Sequence, residues 1–431
     1  MTFILKGNII YNNDSNTLNL LENGYIVCEH GFSKGAFEEI PAAFSDYPVV
    51  DYGDKIILPG LVDLHVHAPQ YAFRGMGMDL ELLDWLNTYT FKEEAKYSDL
   101  DYAKKAYTYF ARDLKNGATS RAVVFATIHT PATVLLMELL EAAGLVSFVG
   151  KVNMDRNSPP ILIEESASKS LKDTEDWIKE SSLKFKKSKP ILTPRFTPSC
   201  SDELMKGLGG LQRKYNLPIQ SHLSESKGEI AWVKELSPDS SCYGDTYDQY
   251  GLFGGDTMNT IMAHCVWSEG IEEALLKENK VVVAHCPNSN MNLSSGIAPI
   301  RRFIRNGIHV GLGSDVAGGT STNMFRAMAD AIQMSKLYWR LIDEKDPPLT
   351  VPEALYLGTM AGGSFFGKVG SFENGYQFDA IVIDDHSFVT PKELTLENRL
   401  ERIIYLANEQ HVFEKYIQGR KVKEKLNEIN K

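Results

Sequence analysis

Short apolar runs alternate with helical patterns from Pro59 to Phe366, and this alternation restricts the fold of the chain more than any other feature. Several runs are apolar at consecutive positions, as expected for parallel strands that are buried on both faces. Eight such runs can be counted. They cover residues 58–66, 118–125, 147–152, 190–196, 217–222, 260–266, 280–284 and 307–312.

The segments between the runs have helical spacing. This spacing predicts helices over residues 100–116, 201–215, 271–278 and 323–339. Eight strand–helix units predict an α/β protein with a (β/α)8 TIM-type barrel. A doubly wound open sheet is the alternative, and it is less favoured because no G-x-G-x-x-G loop follows the first strand.

The two chain ends differ from the middle and show short strand patterns separated by turn residues. These patterns cover residues 3–11, 24–29, 49–52, 378–383 and 416–423. Because the ends of a barrel can meet in space, we predict a small β-sandwich domain built from both chain ends. In this organisation residues 1–58 and 367–431 form the small domain, and residues 59–366 form the barrel.

The net charge and the cysteine content limit which binding partners and which cellular compartment can be expected for this protein. The net charge of −11 argues against a nucleic-acid backbone as the main partner. The five cysteines contain no C-x-x-C pair, which disfavours a disulfide framework and a thiolate zinc ribbon. The N-terminus lacks a signal-peptide core, and the longest apolar stretch carries Glu138 and Glu141. We therefore expect a cytoplasmic protein without a membrane span.

Histidines gather at the ends of the apolar runs. The first run ends in His65-Val-His67, and alternate residues of a strand point to one side, so both imidazoles are predicted to face one point. Taken singly, a histidine is more often packed or exposed than ligating, and an aspartate after a strand often caps a helix. Here several ligand-type side chains lie at the C-terminal ends of the predicted strands, where the active sites of barrels form. Their number at one end of the barrel favours a metal site. The further ligand-type residues at such ends are His222, His264, His285 and Asp315.

Three neutral imidazoles and one carboxylate suit Zn²⁺ with one open position for water, and such a metal lowers the pKa of that water toward neutrality. Glu225 lies three residues beyond His222, where it can shuttle a proton as general acid and base. The other interpretation of Glu225 is a first-turn glutamate favoured by the helix dipole.

Several separate motifs make the chain similar to the amidohydrolase superfamily. They are Pro59-Gly-Leu-Val-Asp-Leu-His-Val-His67, His222-Leu-Ser-Glu225, Ala263-His264-Cys265, Ala284-His-Cys-Pro-Asn-Ser-Asn290 and Gly313-Ser-Asp315. Three further segments resemble the guanine deaminases within that superfamily. They are Ala68-Pro-Gln70-Tyr, Thr193-Pro-Arg195-Phe196 and Ser221-His-Leu-Ser-Glu225.

The resemblance implies a mononuclear metal centre. Its ligands would be His65, His67, His222 and Asp315. They would hold one Zn²⁺ per subunit, with iron as the alternative. His264 would orient or polarise the hydrolytic water, and His285 would support the pocket through hydrogen bonds. Dinuclear relatives carry a carboxylated lysine at the end of strand four, whereas residues 191–197 contain no lysine.

The resemblance also implies the reaction, which is hydrolytic deamination of guanine to xanthine and ammonia in purine catabolism or salvage. Metal-bound hydroxide would attack C2 of guanine, and Glu225 would protonate N3. Asp315 would accept the water proton and pass it toward the leaving amine. The protein would act as a homodimer on a small molecule, without nucleic-acid or membrane partners.

Five residues are implied in substrate binding. Gln70 and Arg195 would bind the polar edge of the base, and Phe196 would stack on it, with Trp85 and His129 lining the pocket. A guanidinium suits the O6 and N7 acceptors of guanine. The other interpretations are an ordinary ion pair for Arg195 and core packing for Phe196.

Two other functions remain open from sequence. One is another amidohydrolase deaminase or a chlorohydrolase, acting on an adenosine-, cytosine- or triazine-like substrate. Gln70 and Arg195 discriminate between these substrates because they address the base and not the metal. The other is a non-catalytic scaffold, which loss of a metal ligand would mark.

Overall fold

The computed structural model of the protein describes residues 1–255 and 259–422. Residue 423 of the strand predicted over 416–423, and the part of the predicted small domain from 423 to 431, lie outside the described residues. The described strands are β1 (Thr2–Asn12), β2 (Leu18–Glu29), β3 (Phe32–Phe37), β4 (Val49–Pro59), β5 (Leu61–His67), β6 (Thr119–Phe125), β7 (Val146–Gly150), β8 (Val152–Asn153), β9 (Ser188–Pro190), β10 (Thr193–Pro194), β11 (Ile219–Leu223), β12 (Thr260–His264), β13 (Val282–His285), β14 (His309–Leu312), β15 (Ala380–Ile383), β16 (Val412–Ile417) and β17 (Arg420–Lys421).

The helices lie mainly between the parallel strands. The described α-helices are α1 (Leu82–Trp85), α2 (Phe91–Ala95), α3 (Leu100–Asn116), α4 (Thr130–Ala142), α5 (Ala167–Lys184), α6 (Asp202–Tyr215), α7 (Lys227–Leu236), α8 (Asp245–Asp248), α9 (Ile271–Glu278), α10 (Pro287–Asn292), α11 (Ile300–Arg305), α12 (Met324–Leu341), α13 (Val351–Tyr356) and α14 (Leu396–Leu406). The four helices predicted from spacing correspond to α3, α6, α9 and α12. A π-helical turn (Leu86–Thr90) joins α1 to α2 in one helical segment.

Strands from both chain ends form one seven-stranded mixed sheet, in the order β17-β16-β15-β4-β1-β2-β3. One face of this sheet has an apolar core of its own, which also contains the hydroxyls of Tyr52 and Tyr416, 2.5 Å apart. The contribution of both ends agrees with the sequence prediction. The two sheets of a sandwich are not separate among the described strands, because β4 pairs with β1 on one edge and with β15 on the other.

The eight predicted runs all contain parallel strands, which pair as two four-stranded sheets in the orders β5-β6-β7-β9 and β11-β12-β13-β14. The short strands β8 and β10 form a separate parallel pair. The fourth run divides into β9 and β10, since Pro190 and Pro194 have no backbone N–H to donate. The single continuous sheet of the predicted barrel is therefore present as two sheets.

Backbone hydrogen bonds connect these two sheets at both edges. On one edge, the amide of Leu192 donates to the carbonyl of Pro218, and the amide of Gln220 donates to the carbonyl of Leu192, both at 2.9 Å. On the other edge, the amide of Asp315 donates to the carbonyl of His65 at 2.8 Å. These bonds bring the C-terminal end of β5 beside the segment that follows β14, where ligand-type residues were predicted.

Two further observations concern the chain as a whole. Within residues 1–255 and 259–422, no helix combines the length and apolar character needed to cross a membrane. The five cysteines all lie in the described ranges and form no disulfide there.

Candidate active site

Three histidines and one aspartate bring their side-chain donor atoms together at the ends of β5, β11 and β14. The Nε2 atom of His67 lies 3.2 Å from the Nε2 atoms of both His65 and His222. The Oδ1 atom of Asp315 lies 3.2 Å from Nε2 of His65 and 3.5 Å from Nε2 of His67. Ligands about 2.0–2.1 Å from a tetrahedral Zn²⁺ stand roughly 3.4 Å apart, so these four donor pairs have the spacing of zinc ligands. Donor atoms lie within 4.8 Å of one another in two groups: His65 with His67 and His222, and His65 with His264, Cys286 and Asp315.

Hydrogen bonds on the far side of the rings orient the imidazoles. The Nδ1 atom of His222 lies 2.6 Å from the carbonyl oxygen of Arg195, and donation to that carbonyl leaves the Nε2 lone pair directed at the cluster. Similarly, Nδ1 of His264 lies 2.9 Å from Oδ1 of Asn290. The Nδ1 atom of His65 is buried without a partner among the described residues. Two of these three rings are thus oriented from outside the cluster.

The backbone at the strand ends is unusual at two of these positions. His264 has a φ angle of 74° and Asp315 a φ angle of 46°, both in the left-handed region that non-glycine residues seldom adopt. Such outliers cluster at functional sites, where surrounding structure holds them. Here they direct the two side chains toward the cluster, with His264 Nε2 3.7 Å from Oδ2 of Asp315.

Glu225 is buried beside the histidine cluster. Its Oε1 accepts a hydrogen bond from the Ser295 hydroxyl at 2.9 Å, and its Oε2 lies 3.4 Å from Nε2 of His264. Burial raises the pKa of Glu225 to about 7, with His264 opposing this shift and the charges of Asp315 and Glu229 adding to it. A carboxyl group with a pKa near neutrality can both accept and donate a proton.

Asp315 has the opposite electrostatic environment. Burial alone raises the pKa of this carboxyl, but the adjacent His65, His264 and His67 imidazoles outweigh burial and hold the pKa well below its usual value. Asp315 is therefore an anionic donor within the cluster, which is the form that binds a metal ion.

A cavity opens over the cluster, and most of the predicted substrate-binding residues line it. The lining residues are His67, Gln70, Leu82, Trp85, Leu86, Arg195, Phe196, His222, Glu225, Glu229, His264, Leu293 and Asp315. The lining therefore combines aromatic and apolar side chains with the ligand-type and acid–base groups. A pocket of this kind suits a flat heteroaromatic molecule with a polar edge.

The aromatic residues of the wall are held from behind. The indole N–H of Trp85 donates to the carbonyl oxygen of Met76 at 3.1 Å, and its ring centroid lies 5.4 Å from that of Phe73. The ring of Phe196 lies 6.0 Å from that of Trp232 in an edge-to-face arrangement. Both side chains thus lie in the cavity wall; their contact with substrate stays a prediction.

Two predicted residues do not line this cavity. His129 precedes α4 and lines a separate surface cavity with Tyr97 and Lys169, so the structure does not place it in the wall of the cavity over the cluster. It is the N-cap residue of α4, beyond the end of β6 at Phe125. His285 ends its strand, β13, and lines a separate small cavity with Arg301 and Tyr338; it was predicted to support the pocket and not to line it. Burial together with His264 lowers its pKa to about 3.

Sequence reasoning missed several residues around the cavity. The most consequential is Glu94, a buried carboxylate that contacts both Gln70 and Arg195. Glu229 carried a usable signal, because Ser226 and Glu229 have the spacing of a capping box, which forms at the start of α7. No role was predicted for the apolar cavity-lining residues Leu82, Leu86 and Leu293. The same holds for Asn290 and Ser295, which hydrogen-bond His264 and Glu225, respectively.

Known proteins are similar to this chain over most of its length. A sequence profile of the amidohydrolase family matches residues 56–422. Guanine deaminase of Mus musculus is 39% identical over 382 residues, which cover 85% of this chain and 83% of the relative. Guanine deaminase of Escherichia coli strain K12 is 33% identical over 428 residues, covering 95% and 93%.

A crystal structure of guanine deaminase from C. acetobutylicum with bound guanine in the active site superposes with a TM-score of 0.95 at 47% identity. The superposition covers 98% of this chain and 100% of that one. The chain therefore belongs to the amidohydrolase family, among the relatives that are named guanine deaminases.

Proposed function

We propose that this protein hydrolyses guanine to xanthine and ammonia. The observation that carries this function is one cavity in which the donor cluster, the buried Glu225 and the Gln70–Arg195 pair face a common space. The similarity to guanine deaminases over most of the chain supports the same substrate.

The proposed site holds one divalent metal per chain, zinc first and iron as the alternative, bound by His65, His67, His222 and Asp315. When bound, such an ion lowers the pKa of water and supplies the nucleophile at neutral pH. The protein's contribution is to converge four donor atoms and to leave the neighbouring space to water and substrate.

In the proposed reaction a water molecule adds to C2 of guanine and the bond from C2 to the exocyclic nitrogen breaks. Glu225 donates a proton to N3, and Asp315 accepts the proton of the water and returns it to the departing amine. Glu225 then recovers a proton from the hydroxyl on C2 as the C2=O bond forms. The Nε2 atom of His264, between the two carboxylates, hydrogen-bonds the water. Ammonia and xanthine account for all atoms of guanine and water.

The polar edge of guanine is bound by Gln70 and Arg195 in this proposal. Phe196 and Trp85 enclose the ring, and His285 supports the pocket from behind His264. The paired donors of a guanidinium match adjacent O6 and N7 acceptors. Adenine, cytosine and triazines present a different edge, which is why this pair discriminates between the candidate substrates.

For the architecture, we propose that the two parallel sheets are halves of one (β/α)8 barrel over residues 59–366. The seven-stranded sheet then belongs to a small sandwich-like domain over residues 1–58 and 367–431. We also propose a cytoplasmic homodimer, for which light scattering of the purified protein is the direct measurement.

The metal-loaded protein is expected to convert guanine to xanthine, measured by the loss of guanine absorbance and by chromatography of the product. Adenine, cytosine and ammeline serve as comparison substrates under the same conditions. Turnover of one of these amines without turnover of guanine would replace the proposed substrate while keeping the reaction class.

Arg195→Lys is expected to lower kcat/KM for guanine by about tenfold or more, because lysine keeps the charge but loses the planar donor fork. Steady-state kinetics measure this effect. Arg156→Lys is the matched control, since Arg156 donates to the nearby carbonyl of Thr197 at 2.8 Å and does not line the cavity. An unchanged kcat/KM in Arg195→Lys rules out contact of Arg195 with substrate.

A further inference from the structure

A carboxylate lies directly behind the two residues that face the polar edge of the base. Glu94, on α2, is 1% exposed. Its Oε1 accepts from the Gln70 amide nitrogen at 2.9 Å and from Nη2 of Arg195 at 3.1 Å. Its Oε2 accepts from Nη1 of Arg195 at 2.5 Å. One side chain therefore links both substrate-facing groups.

The remaining contacts hold the same two side chains from other directions. The Oε1 atom of Gln70 accepts from the amide of Ala317 at 3.2 Å, so both ends of this amide have a partner. The guanidinium of Arg195 lies 5.2 Å from the ring centroid of Phe91. Phe91 and Glu94 are three residues apart on α2 and so share one helical face. That face holds Arg195 through stacking and a bidentate ion pair.

The charges and donors of this arrangement suit a neutral base. Arg195 and Glu94 are both nearly inaccessible, and a buried charge requires a paired partner. The ion pair satisfies that requirement without using every N–H of the guanidinium, which has five. Gln70 likewise keeps one amide N–H beyond the bond to Glu94. The N–H groups of Arg195 and Gln70 that do not bind Glu94 are therefore held in fixed directions.

We propose that Glu94 is a positioning residue for guanine, which sets the geometry of Gln70 and Arg195 toward the C6 oxygen side of the base. This inference rests on the proposed function. Glu94 does not line the cavity, so it acts through the two residues that it holds. Displacement of such groups by about 1 Å can cost on the order of a hundredfold in rate.

Substrate pairs test this role. Guanine and 2-aminopurine carry the same C2 amine and N3, and 2-aminopurine lacks the C6 oxygen. Glu94→Gln is expected to lower kcat/KM for guanine by at least about tenfold and that for 2-aminopurine by less than about threefold. The reason is that the variant disturbs only the contacts of Gln70 and Arg195 with the C6 oxygen side, and 2-aminopurine lacks that oxygen. If 2-aminopurine is bound but not converted, its inhibition constant against guanine replaces kcat/KM.

Glu93→Gln is the matched control. Glu93 is the neighbouring carboxylate on α2, also buried, and it pairs with Lys96 at 2.7 Å and with the hydroxyl of Tyr102 instead of the cavity residues. We expect this variant to keep kcat/KM for guanine within about threefold of wild type, because neither Glu93 nor its partners Lys96 and Tyr102 line the cavity. Bound metal, measured by elemental analysis, is expected to stay unchanged in both variants.

A second variant covers the case in which Glu94→Gln does not fold. Glu94→Asp keeps the charge but withdraws the carboxylate by one methylene, and it is expected to show the same selective loss with guanine. Equal losses with both substrates, or no loss with either, overturn the positioning role. Failure of the wild-type protein to convert guanine instead overturns the proposed function, so the two outcomes are distinct.

Discussion

Glu225→Gln is expected to bind metal normally and to lose at least about a hundredfold in kcat with guanine, the scale of a lost general acid and base. The amide retains the shape of the side chain and its hydrogen bond with Ser295, but it cannot carry a proton to N3. Because Glu225 contributes no atom to the cluster of His65, His67, His222 and Asp315, metal content separates this effect from loss of the site. Steady-state kinetics and elemental analysis on the same preparation measure both quantities.

Glu272→Gln is the control for this variant. Glu272 is also a buried carboxylate near β11, but it accepts from the hydroxyls of Ser224 and Ser268, each at 2.6 Å, and does not line the cavity. We expect the folded Glu272→Gln protein to keep activity within about threefold of wild type. Near-normal activity of Glu225→Gln removes Glu225 from the proton transfer, whatever the control shows.

Removal of the metal is expected to have the largest effect. Dialysis against a chelator should lower kcat by at least about a thousandfold, because Lewis-acid and water activation together contribute several kcal/mol and each 1.36 kcal/mol is a factor of ten. Addition of Zn²⁺ should restore activity at a stoichiometry of one ion per chain. Reloading with Fe²⁺ in a parallel sample decides between the two proposed metals.

His67→Ala provides the matching structural test of metal binding. The Nε2 atom of His67 lies 3.2 Å from two of the other donors, so its removal leaves a gap in the centre of the cluster. We expect weak metal binding, and a thermal midpoint that no longer rises when Zn²⁺ is added, whereas that of the wild-type apoprotein does rise. Two ions per wild-type chain, or full activity without metal, contradicts the mononuclear site.

The common direction of His65 and His67 could be predicted from sequence because it depends on local spacing. A strand has a period of two residues, so His65 and His67 must face the same side once they belong to one strand. Helical spacing gave four helices in the same way. Where proline interrupts the pattern, as at Pro190 and Pro194, local spacing predicted one strand and the structure has two short ones.

Glu94 shows why the rest of the pocket could not be predicted. In the sequence Phe91-Lys-Glu-Glu-Ala95, two adjacent glutamates beside a lysine are typical of a solvated helix face. Only the packing of α2 against Gln70 and Arg195, 24 and 101 residues away, makes one glutamate a buried counter-ion and leaves its neighbour with Lys96. His129 shows the converse, since it follows an apolar run but faces another cavity.

The sequence by itself determined the strand-end histidines, the general acid–base candidate three residues beyond one of them, and the alternation of strands and helices. Each depends on residues close together in the chain, where backbone periodicity decides direction. The tertiary structure alone decided which side chains support the pocket, how the sheets divide, and which charges are paired. Those properties depend on distances between remote segments, and burial and electrostatic pairing follow from such distances and not from local spacing.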